Sequence, residues 1–298
     1  MHIPVLQKEV LQYLDPGLNQ NFIDATVGGA GHTLAILEKN APKGRVLAID
    51  SDPEIIENCK AILRSSKIEN FKERVILVCE NFTNLKEIVV KQKFEPIHGI
   101  LFDLGFSSWH IESSRRGFSF QKEEPLDMRY NPANALKAEN IINEYAEKEI
   151  EKLLRDYGEE KFSKRIAKKI VEERKRKWIK TTSQLAEIIK KAVPKNYDRR
   201  RIHPATRTFQ ALRIAVNNEL DNLEKALPQA LDILTAGGRL TIISFHSLED
   251  RIVKCFLKSE RDKEIIRILT KKPVRPSDDE IKINPRSRSA KLRAAVKL

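Results

Sequence analysis

The sequence predicts an α/β fold: a parallel β-sheet with helices on both faces and a second, mainly helical domain inserted into it. Apolar strand-like runs alternate with helical patterns over residues 22–104, which is typical of a parallel sheet covered on both faces. The alternation then stops, and a strand pattern returns only at residues 239–245. A long helical or loop segment inside an alternating pattern indicates an inserted domain.

The first part of the sheet is predicted from four apolar runs, at residues 22–27, 45–50, 74–80 and 97–104. Between the second and third runs, apolar residues recur at helical spacing over residues 53–66, behind the start signal Asp52-Pro53. Proline fits the first turn of a helix, where its missing N–H is not needed. This region therefore predicts strand, helix and strand in succession.

The last part of the chain predicts a return to the sheet. One long helix is expected from Phe209 to Leu227, because apolar residues recur there at steps of three or four. Pro228 is expected to open another helix that ends at Gly237-Gly238. Strands are expected at 239–245 and 291–298, with a helix between them that begins at Ser247. The sheet domain is thus predicted at residues 1–108 and 210–298, and the insertion at 109–209.

A nucleoside-cofactor site is predicted at the first strand–turn–helix. The strand ends in Gly28-Gly29-Ala30-Gly31-His32, and the next strand ends in Asp50. Glycines allow a ligand close to the backbone, the helix N-terminus offers free N–H groups, and the acid suits two ribose hydroxyls. Thr26 stands where a dinucleotide fingerprint has its first glycine, which favours another adenosine ligand such as S-adenosylmethionine. An ordinary strand–helix turn is the alternative.

Further candidate site residues follow other strands, because ligands of open parallel sheets bind beyond the strands' carboxyl ends. Asp103 is placed to accept a hydrogen bond from an amino group of cofactor or substrate, or else to cap a helix or turn. Phe82 is placed to stack on adenine or to pack in the core. His32 and His246 either contact a ligand or serve the structure. No motif with metal-ligand spacing occurs.

The charge distribution predicts a nucleic-acid partner. The net charge is +13, and residues 161–213 contain 18 Lys/Arg against 4 Asp/Glu. Like charges clustered at 174–177 and 199–201 repel each other unless a polyanion neutralises them. Solvated helix faces are the alternative. The candidate RNA-binding residues are Arg174, Lys175, Arg176, Lys177, Arg199, Arg200 and Arg201.

The hydropathy pattern predicts neither a secreted nor a membrane protein. No apolar run approaches the ~20 residues of a membrane span, and the start MHIPVLQKEV has no signal-peptide pattern. The three cysteines, at 59, 79 and 255, lie in apolar patterns and are expected to be buried thiols. We therefore expect a cytoplasmic protein.

Long sequence blocks in order along the chain carry a family resemblance. The chain resembles the bacterial 16S ribosomal RNA (cytosine-N4)-methyltransferases, the RsmH or MraW family. The matching blocks include HIPVLQKEV at 2–10, DATVGGAGH at 24–32, LAIDSDP at 47–53, ILFDLGFSS at 100–108, RGFSFQKEEPLDMRY at 116–130, YGEEKFSKRIAKKIVE at 157–172, HPATRTFQALRIAVNNEL at 203–220, ISFHSLEDRIVK at 243–254 and NPRSRSAKLRAA at 284–295.

The resemblance implies a Rossmann-like S-adenosylmethionine-dependent methyltransferase domain interrupted by a helical substrate-recognition domain. It implies methylation of N4 of one cytidine in the decoding region of 16S rRNA, on the small subunit or its late precursor. No membrane or protein partner is implied, and the chain is expected as a monomer or homodimer. Carried over by position, the family's cofactor contacts are Ala30, Gly31, His32, Asp50, Phe82 and Asp103.

Two departures from the family pattern, and one from the wider pattern of amino-methyltransferases, leave questions open. His110 follows Ser107-Ser108-Trp109, where the family usually has glutamine after serine-serine-proline, so its cofactor role is open. Ala30 replaces a frequent glycine. The tetrapeptide common to amino-methyltransferases is absent, and Asp103-Leu104-Gly105-Phe106 occupies the equivalent strand end. Asp103 is therefore the candidate catalytic residue as well as a candidate cofactor contact.

Two other classes of protein remain as alternatives. A nicotinamide-dependent enzyme is disfavoured by Thr26 and by the basic insertion, and cofactor-binding measurements separate it from a methyltransferase. A non-catalytic RNA-binding protein is disfavoured by the complete Gly28–His32 turn together with Asp50 and Asp103. Methyl incorporation into small-subunit particles decides between that class and the enzyme.

Overall fold

A computed structural model describes residues 3–194, 197 and 203–298. The chain divides into two compact units. The first contains Met1–Ser107 and Leu220–Leu298, and the second contains Ser108–Glu219. The second unit is thus an insertion between two segments of the first.

Within the described residues, the first unit contains one seven-stranded sheet with the order β3-β2-β1-β4-β5-β7-β6. Strands β1 to β5 pair in parallel, whereas β7 pairs antiparallel with both β5 and β6. The strands are β1 (Phe22–Asp24), β2 (Val46–Asp50), β3 (Val75–Cys79), β4 (Gly99–Asp103), β5 (Arg239–Ser244), β6 (Ile266–Ile268) and β7 (Lys291–Lys297). From β1 the chain continues to β2 and β3 on one side of the sheet, whereas from β4 it continues to β5 on the other side. The carboxyl ends of β1 and β4 are therefore the switch point, where ligands bind in such sheets.

The described helices divide between the two units. They are α1 (Gln7–Leu14), α2 (Gly31–Lys39), α3 (Pro53–Ser65), α4 (Phe71–Arg74), α5 (Leu85–Gln92), α6 (Ser108–Glu112), α7 (Ala138–Glu144), α8 (Glu147–Asp156), α9 (Ser163–Arg174), α10 (Thr182–Ala192), α11 (Ala205–Asn217), α12 (Glu219–Ile233), α13 (Ser247–Asp262) and α14 (Asp278–Ile283). Helices α6 to α11 lie in the second unit, so the insertion is helical, as the sequence predicts.

Each unit has its own hydrophobic core. In the first unit, the apolar side chains of the central strands pack with those of α5, α12 and α13. Phe102 of β4 and Ile49 of β2 are fully buried in this core. In the second unit, α7 to α11 contribute the apolar faces, with Leu154 and Ile166 fully buried. Each unit therefore buries its own set of apolar side chains away from water.

The helix predicted from Phe209 to Leu227 is two helices. Asn218 adopts a left-handed conformation, with φ of 52°, and ends α11 before α12 begins. An asparagine tolerates that conformation better than most residues, but helical spacing continues across the break, so the periodicity does not reveal it. Pro228 lies inside α12 and opens no new helix. The second boundary of the insertion is at 219/220 and not at 209/210, because Phe209 and Leu212 pack in the helical core.

Helix α13 begins at Ser247, as the sequence predicts, and its N-cap is His246, which forms a capping box with Glu249. Two smaller expectations differ from the structure. The short strand β6 was not expected. Cys59 is buried, but Cys79 and Cys255 are exposed, because each lies on the solvent side of its apolar pattern. Among the described residues, none of the helices combines the length and the hydropathy of a membrane span.

Candidate functional site

Three aspartates end three neighbouring parallel strands of the first unit. Asp24 ends β1, Asp50 ends β2 and Asp103 ends β4. Because these strands are parallel, their carboxyl ends share one edge of the sheet. The residues carried over from the sequence, apart from His110, follow strands of this same sheet. The switch point therefore has an acidic edge.

The turn between β1 and α2 is held by the acid at the end of β2. The backbone N–H of Gly28 donates to Oδ2 of Asp50 at 3.2 Å, while Oδ1 accepts from the N–H of Asp52 at 3.0 Å. Gly28 has a φ of 49°, a conformation in which a side chain is strained. Asp50 thus fixes the turn, and its position at the end of β2 keeps it the predicted ribose contact.

Ala30 is the residue before α2 and adopts a left-handed conformation, with φ of 60° and ψ of 9°. An L-residue with a Cβ is disfavoured there, and no side chain of residues 3–194, 197 or 203–298 caps this helix N-terminus. The first N–H groups of α2 are therefore available to an anionic or polar ligand group. Gly31 has a different role, because a Cβ at that position would collide with the ring of Pro4.

Asp103 presents a buried oxygen at the end of β4. Its backbone N–H donates to Oγ1 of Thr26 at 2.7 Å, which ties the end of β4 to the end of the β1 segment. Its Oδ1 is buried and has no hydrogen-bond partner among the residues that the structure describes. Its Oδ2 lies 3.6 Å from Nε2 of His32. An unsatisfied carboxylate oxygen inside a protein is costly, and a ligand amino or hydroxyl group would satisfy it.

His32 lies in the first turn of α2 and is 6 % exposed. Neither ring nitrogen has a hydrogen-bond partner among the described side and main chains. Burial opposes its protonation, but Asp103, followed by Asp24 and Glu280, more than offsets burial and raises the pKa of His32 above its usual value. The neighbouring carboxylates thus favour the protonated form of this imidazole.

Asp24 was missed by the sequence analysis, although it stands at a strand end like Asp50 and Asp103. It is 1 % exposed, with Oδ2 accepting from the hydroxyl of Thr33 at 2.7 Å and Oδ1 from the N–H of Thr26 at 3.3 Å. Burial raises the pKa of Asp24, and the nearby His32 opposes that effect. The signal was available, since the block DATVGGAGH opens with this acid.

Phe82 follows β3 in a short 3-10 helix over Phe82–Asn84, which the side chain of Asn81 caps through the N–H of Thr83 at 2.9 Å. Its ring meets Phe102 edge-on, with the centroids 5.6 Å apart. The ring is only half-buried, so it combines a core contact with surface left for a stacking partner. Both alternatives stated for Phe82 thus remain compatible with its position.

His246 and Glu249 lie at the turn between β5 and α13. Oε2 of Glu249 accepts from the N–H groups of Phe245 and His246, at 2.8 and 3.2 Å, and Oε1 lies 3.1 Å from Nε2 of His246. Both side chains are buried. This capping arrangement fixes the strand-to-helix turn, which gives His246 a structural role.

His110 belongs to the second unit. It is 3 % exposed, and its ring centroid lies 4.8 Å from that of Phe118 and 5.2 Å from that of Tyr130. The imidazole is thus packed in an aromatic cluster, and a cofactor role for it stays a prediction.

The basic residues at 174–177 have two different environments. The guanidinium of Arg174 donates to the carbonyl oxygens of Ile142 and Tyr145 at 2.8 and 2.7 Å, which stabilises the C-terminal end of α7. Lys175, Arg176 and Lys177 are exposed. The other predicted RNA-binding residues, Arg199, Arg200 and Arg201, lie outside the described residues.

The fold and this edge of the sheet define a class of protein. A switch point with free helix N–H groups, an acid after β2 and an unsatisfied carboxylate after β4 fits a ligand with hydroxyl and amino groups, as S-adenosylmethionine has. The residues present thus fit the cofactor, and the architecture is that of a Rossmann-like, S-adenosylmethionine-dependent methyltransferase.

Comparison with known proteins identifies the family. The sequence profile of the MraW methylase family matches residues 1–298, and the chain belongs to that family. It is 46% identical over 312 residues to a protein of Dehalococcoides mccartyi, covering 100% of this chain and 86% of the relative. A protein of Sulfurihydrogenibium azorense is 47% identical over 297 residues, covering 100% and 99%. Both are named ribosomal RNA small subunit methyltransferase H.

Solved structures of similar proteins include a putative rRNA methylase from Clostridium thermocellum, with a TM-score of 0.48 and 13% identity over 100% of both chains. Another is a putative methyltransferase from Streptococcus mutans in complex with SAH, with a TM-score of 0.49 and 15% identity over 99% of both chains.

Proposed function

We propose that this methyltransferase transfers a methyl group from S-adenosylmethionine to N4 of one cytidine in the decoding region of 16S rRNA. The substrate is the small ribosomal subunit or its late precursor in the cytoplasm. The names of the relatives support ribosomal RNA of the small subunit as the substrate. The basic insertion supports a polyanionic partner. The observation that carries the chemistry is the buried, unsatisfied Oδ1 of Asp103.

A cytosine amino group is a poor nucleophile, because its lone pair is delocalised into the ring. In this proposal Oδ1 of Asp103 accepts a hydrogen bond from the amino group, which localises the lone pair on nitrogen as the new bond forms. His32 lies beside the other oxygen, 3.6 Å from Oδ2. Protonated His32 pairs with Oδ2 of Asp103, which leaves Oδ1 for the ligand.

The cofactor supplies an electrophilic methyl group on a sulfonium sulfur. Asp50 and the N-terminus of α2 would hold its ribose and amino-acid portions, and Phe82 would cover the adenine. Holding both reactants in line supplies much of the rate enhancement. Attack forms the N4–CH₃ bond and breaks the S–CH₃ bond. The proton that N4 then loses passes to Oδ1 of Asp103.

The test is methyl transfer from radiolabelled S-adenosylmethionine to small-subunit particles isolated from cells that lack this enzyme. Nuclease digestion and mass spectrometry then identify the modified nucleoside and its position. N4-methylcytidine at one decoding-region site is the expected product. Methylation of another atom, or particles that stay unlabelled while binding the protein, would contradict the proposal. Naked 16S rRNA, assayed in parallel, distinguishes free RNA from the assembled particle as substrate.

A further inference from the structure

Trp178 is a large aromatic residue at the surface of the helical unit. This residue is 44% exposed to solvent, which is uncommon for tryptophan in a folded protein. Its indole N–H donates to Oε1 of Glu139 at 2.7 Å. This hydrogen bond satisfies the polar edge of the ring and restricts its rotation. The apolar face is therefore held in a defined orientation and is partly accessible.

The backbone around Trp178 is also fixed. The next residue, Ile179, is 2% exposed in the helical core. Its N–H donates to Oδ1 of Asn143 at 2.9 Å, and Nδ2 of Asn143 donates to its carbonyl oxygen at 2.8 Å. On the other side, the N–H of Lys177 donates to the carbonyl oxygen of Glu173 at 3.1 Å. Trp178 thus occupies a rigid position, and ordering it on binding costs little entropy.

Four exposed cations flank the ring in sequence, at Lys175, Arg176, Lys177 and Lys180. Arg176 approaches Glu173 at 3.9 Å. Within residues 3–194, 197 and 203–298, no carboxylate forms an ion pair with the side chain of Lys175, Lys177 or Lys180. The segments on either side of Trp178 therefore carry an excess of exposed positive charge, and the carboxylate of Glu139 holds its N–H.

We propose that Trp178 is a stacking platform for an unpaired base of the RNA substrate, with the flanking cations neutralising phosphates on either side. This inference rests on the proposed function, to which it adds a recognition residue. Proteins that bind single-stranded RNA combine cations along the backbone with aromatic rings under the bases. A protein partner with an apolar surface would have to desolvate four cations to reach the ring, which disfavours that occupant. Duplex RNA is disfavoured because its bases are already stacked.

The test compares the full-length chain with Trp178→Ala and Trp178→Phe. The probes are a fluorescein-labelled single-stranded dodecaribonucleotide and the same oligonucleotide with abasic sites. We expect the wild type to bind the base-containing probe roughly 5- to 150-fold more tightly than the abasic one. Trp178→Ala should lose most of that preference while binding the abasic probe as the wild type does, and Trp178→Phe should retain most of it. Thermal melting checks that both variants fold.

Two results would overturn the stacking role. One is equal preference for the base-containing probe in wild type and Trp178→Ala. The other is a loss of affinity for both probes alike, which would indicate a structural role. Methyl transfer to small-subunit particles, measured on the same proteins, separates this inference from the proposed function. If transfer occurs but the two probes are not distinguished, stacking alone is wrong; if the probes are distinguished but no transfer occurs, the proposed function is wrong.

Discussion

Nε2 of His32 lies 3.6 Å from Oδ2 of Asp103, although the two residues come from the start of α2 and the end of β4. Asp24, which His32 also influences electrostatically, is buried at the end of β1. When His32 is protonated, its positive charge reduces the repulsion between the carboxylates of Asp24 and Asp103. In the part of the chain that the structure describes, no group donates a hydrogen bond to Oδ1 of Asp103.

Asp103→Asn tests the role of that acceptor. The amide keeps the size of the carboxylate and one carbonyl oxygen but removes the charge. If Asp103 polarises the cytosine amino group, we expect the rate at saturating cofactor and RNA to fall by roughly 10²-fold or more. Calorimetry of cofactor binding is the control. A saturated rate within about threefold of wild type, with only the KM for the cofactor raised, would assign Asp103 to cofactor binding alone.

Asp50→Ala tests the acid that holds both the turn and, in our prediction, the ribose. The substitution removes the acceptor for the N–H of Gly28 and for a ribose hydroxyl pair. We expect cofactor affinity to weaken by about 1–3 kcal/mol and the unliganded protein to unfold at lower urea concentration. Asp50→Asn, which retains a carbonyl acceptor for the turn, should lose less stability. An unchanged dissociation constant in both variants would refute the ribose contact.

Ala30→Gly should stabilise the protein. Ala30 has a φ of 60°, which costs an L-residue about 1–2 kcal/mol, and the greater freedom of glycine in the unfolded chain offsets about 0.4–1 kcal/mol of that gain. Urea denaturation measures the difference. The matched control is Gly31→Ala, where the added Cβ meets the ring of Pro4 and should destabilise. If Ala30→Gly lowered the free energy of unfolding as much as Gly31→Ala does, backbone strain at residue 30 would be disproved.

The free energy of unfolding should decrease as pH rises above 6.5, the ordinary pKa of histidine. Because the pKa of His32 is raised in the folded state, the folded protein binds this proton more tightly than the unfolded chain. The resulting stability is fully present below 6.5 and is lost as pH rises through the raised folded pKa. Urea denaturation at a series of pH values measures this loss. His32→Asn should flatten the profile in that window, and an equally steep profile in the variant would show that another group is responsible.

The exposed cations of the helical unit should control the salt dependence of RNA binding. Replacing Lys175, Arg176 and Lys177 by Gln should weaken binding to small-subunit RNA and reduce the salt slope, because fewer phosphates are neutralised. The matched control is Lys271→Gln with Lys272→Gln, two exposed cations of the other unit. If both sets of variants had the same effect, net charge rather than this surface would be responsible.

Arg174 should behave differently from the three residues that follow it, since its guanidinium donates to two carbonyl oxygens at the end of α7. Arg174→Gln should lower the melting temperature more than it changes the salt slope. The same salt series applied to Arg199, Arg200 and Arg201, each changed to Gln, tests the remaining cluster predicted from the sequence.

Much of the fold could be predicted from the sequence, because local patterns carry it. Fully buried strands leave near-continuous apolar runs, and β1 to β5 all lie within predicted runs. The start of α3 at Pro53 was predicted from Asp52-Pro53. The break between α11 and α12 was not, because helical periodicity continues through Asn218. The exposure of Cys79 and Cys255 also depends on which side of each element meets solvent.

The sequence by itself determined the class of fold, the helical insertion and the positions of Asp50 and Asp103 at strand ends, since strand and turn signals are local. Only the tertiary structure decided which of those groups meet. It placed His32 beside Asp103, directed Asp50 to the N–H of Gly28, and gave Arg174 a helix end to stabilise. These contacts join residues far apart in the chain, and their energies depend on burial and on distances of a few ångströms. No spacing in the sequence encodes such distances directly, because they arise when the sheet and the two cores pack.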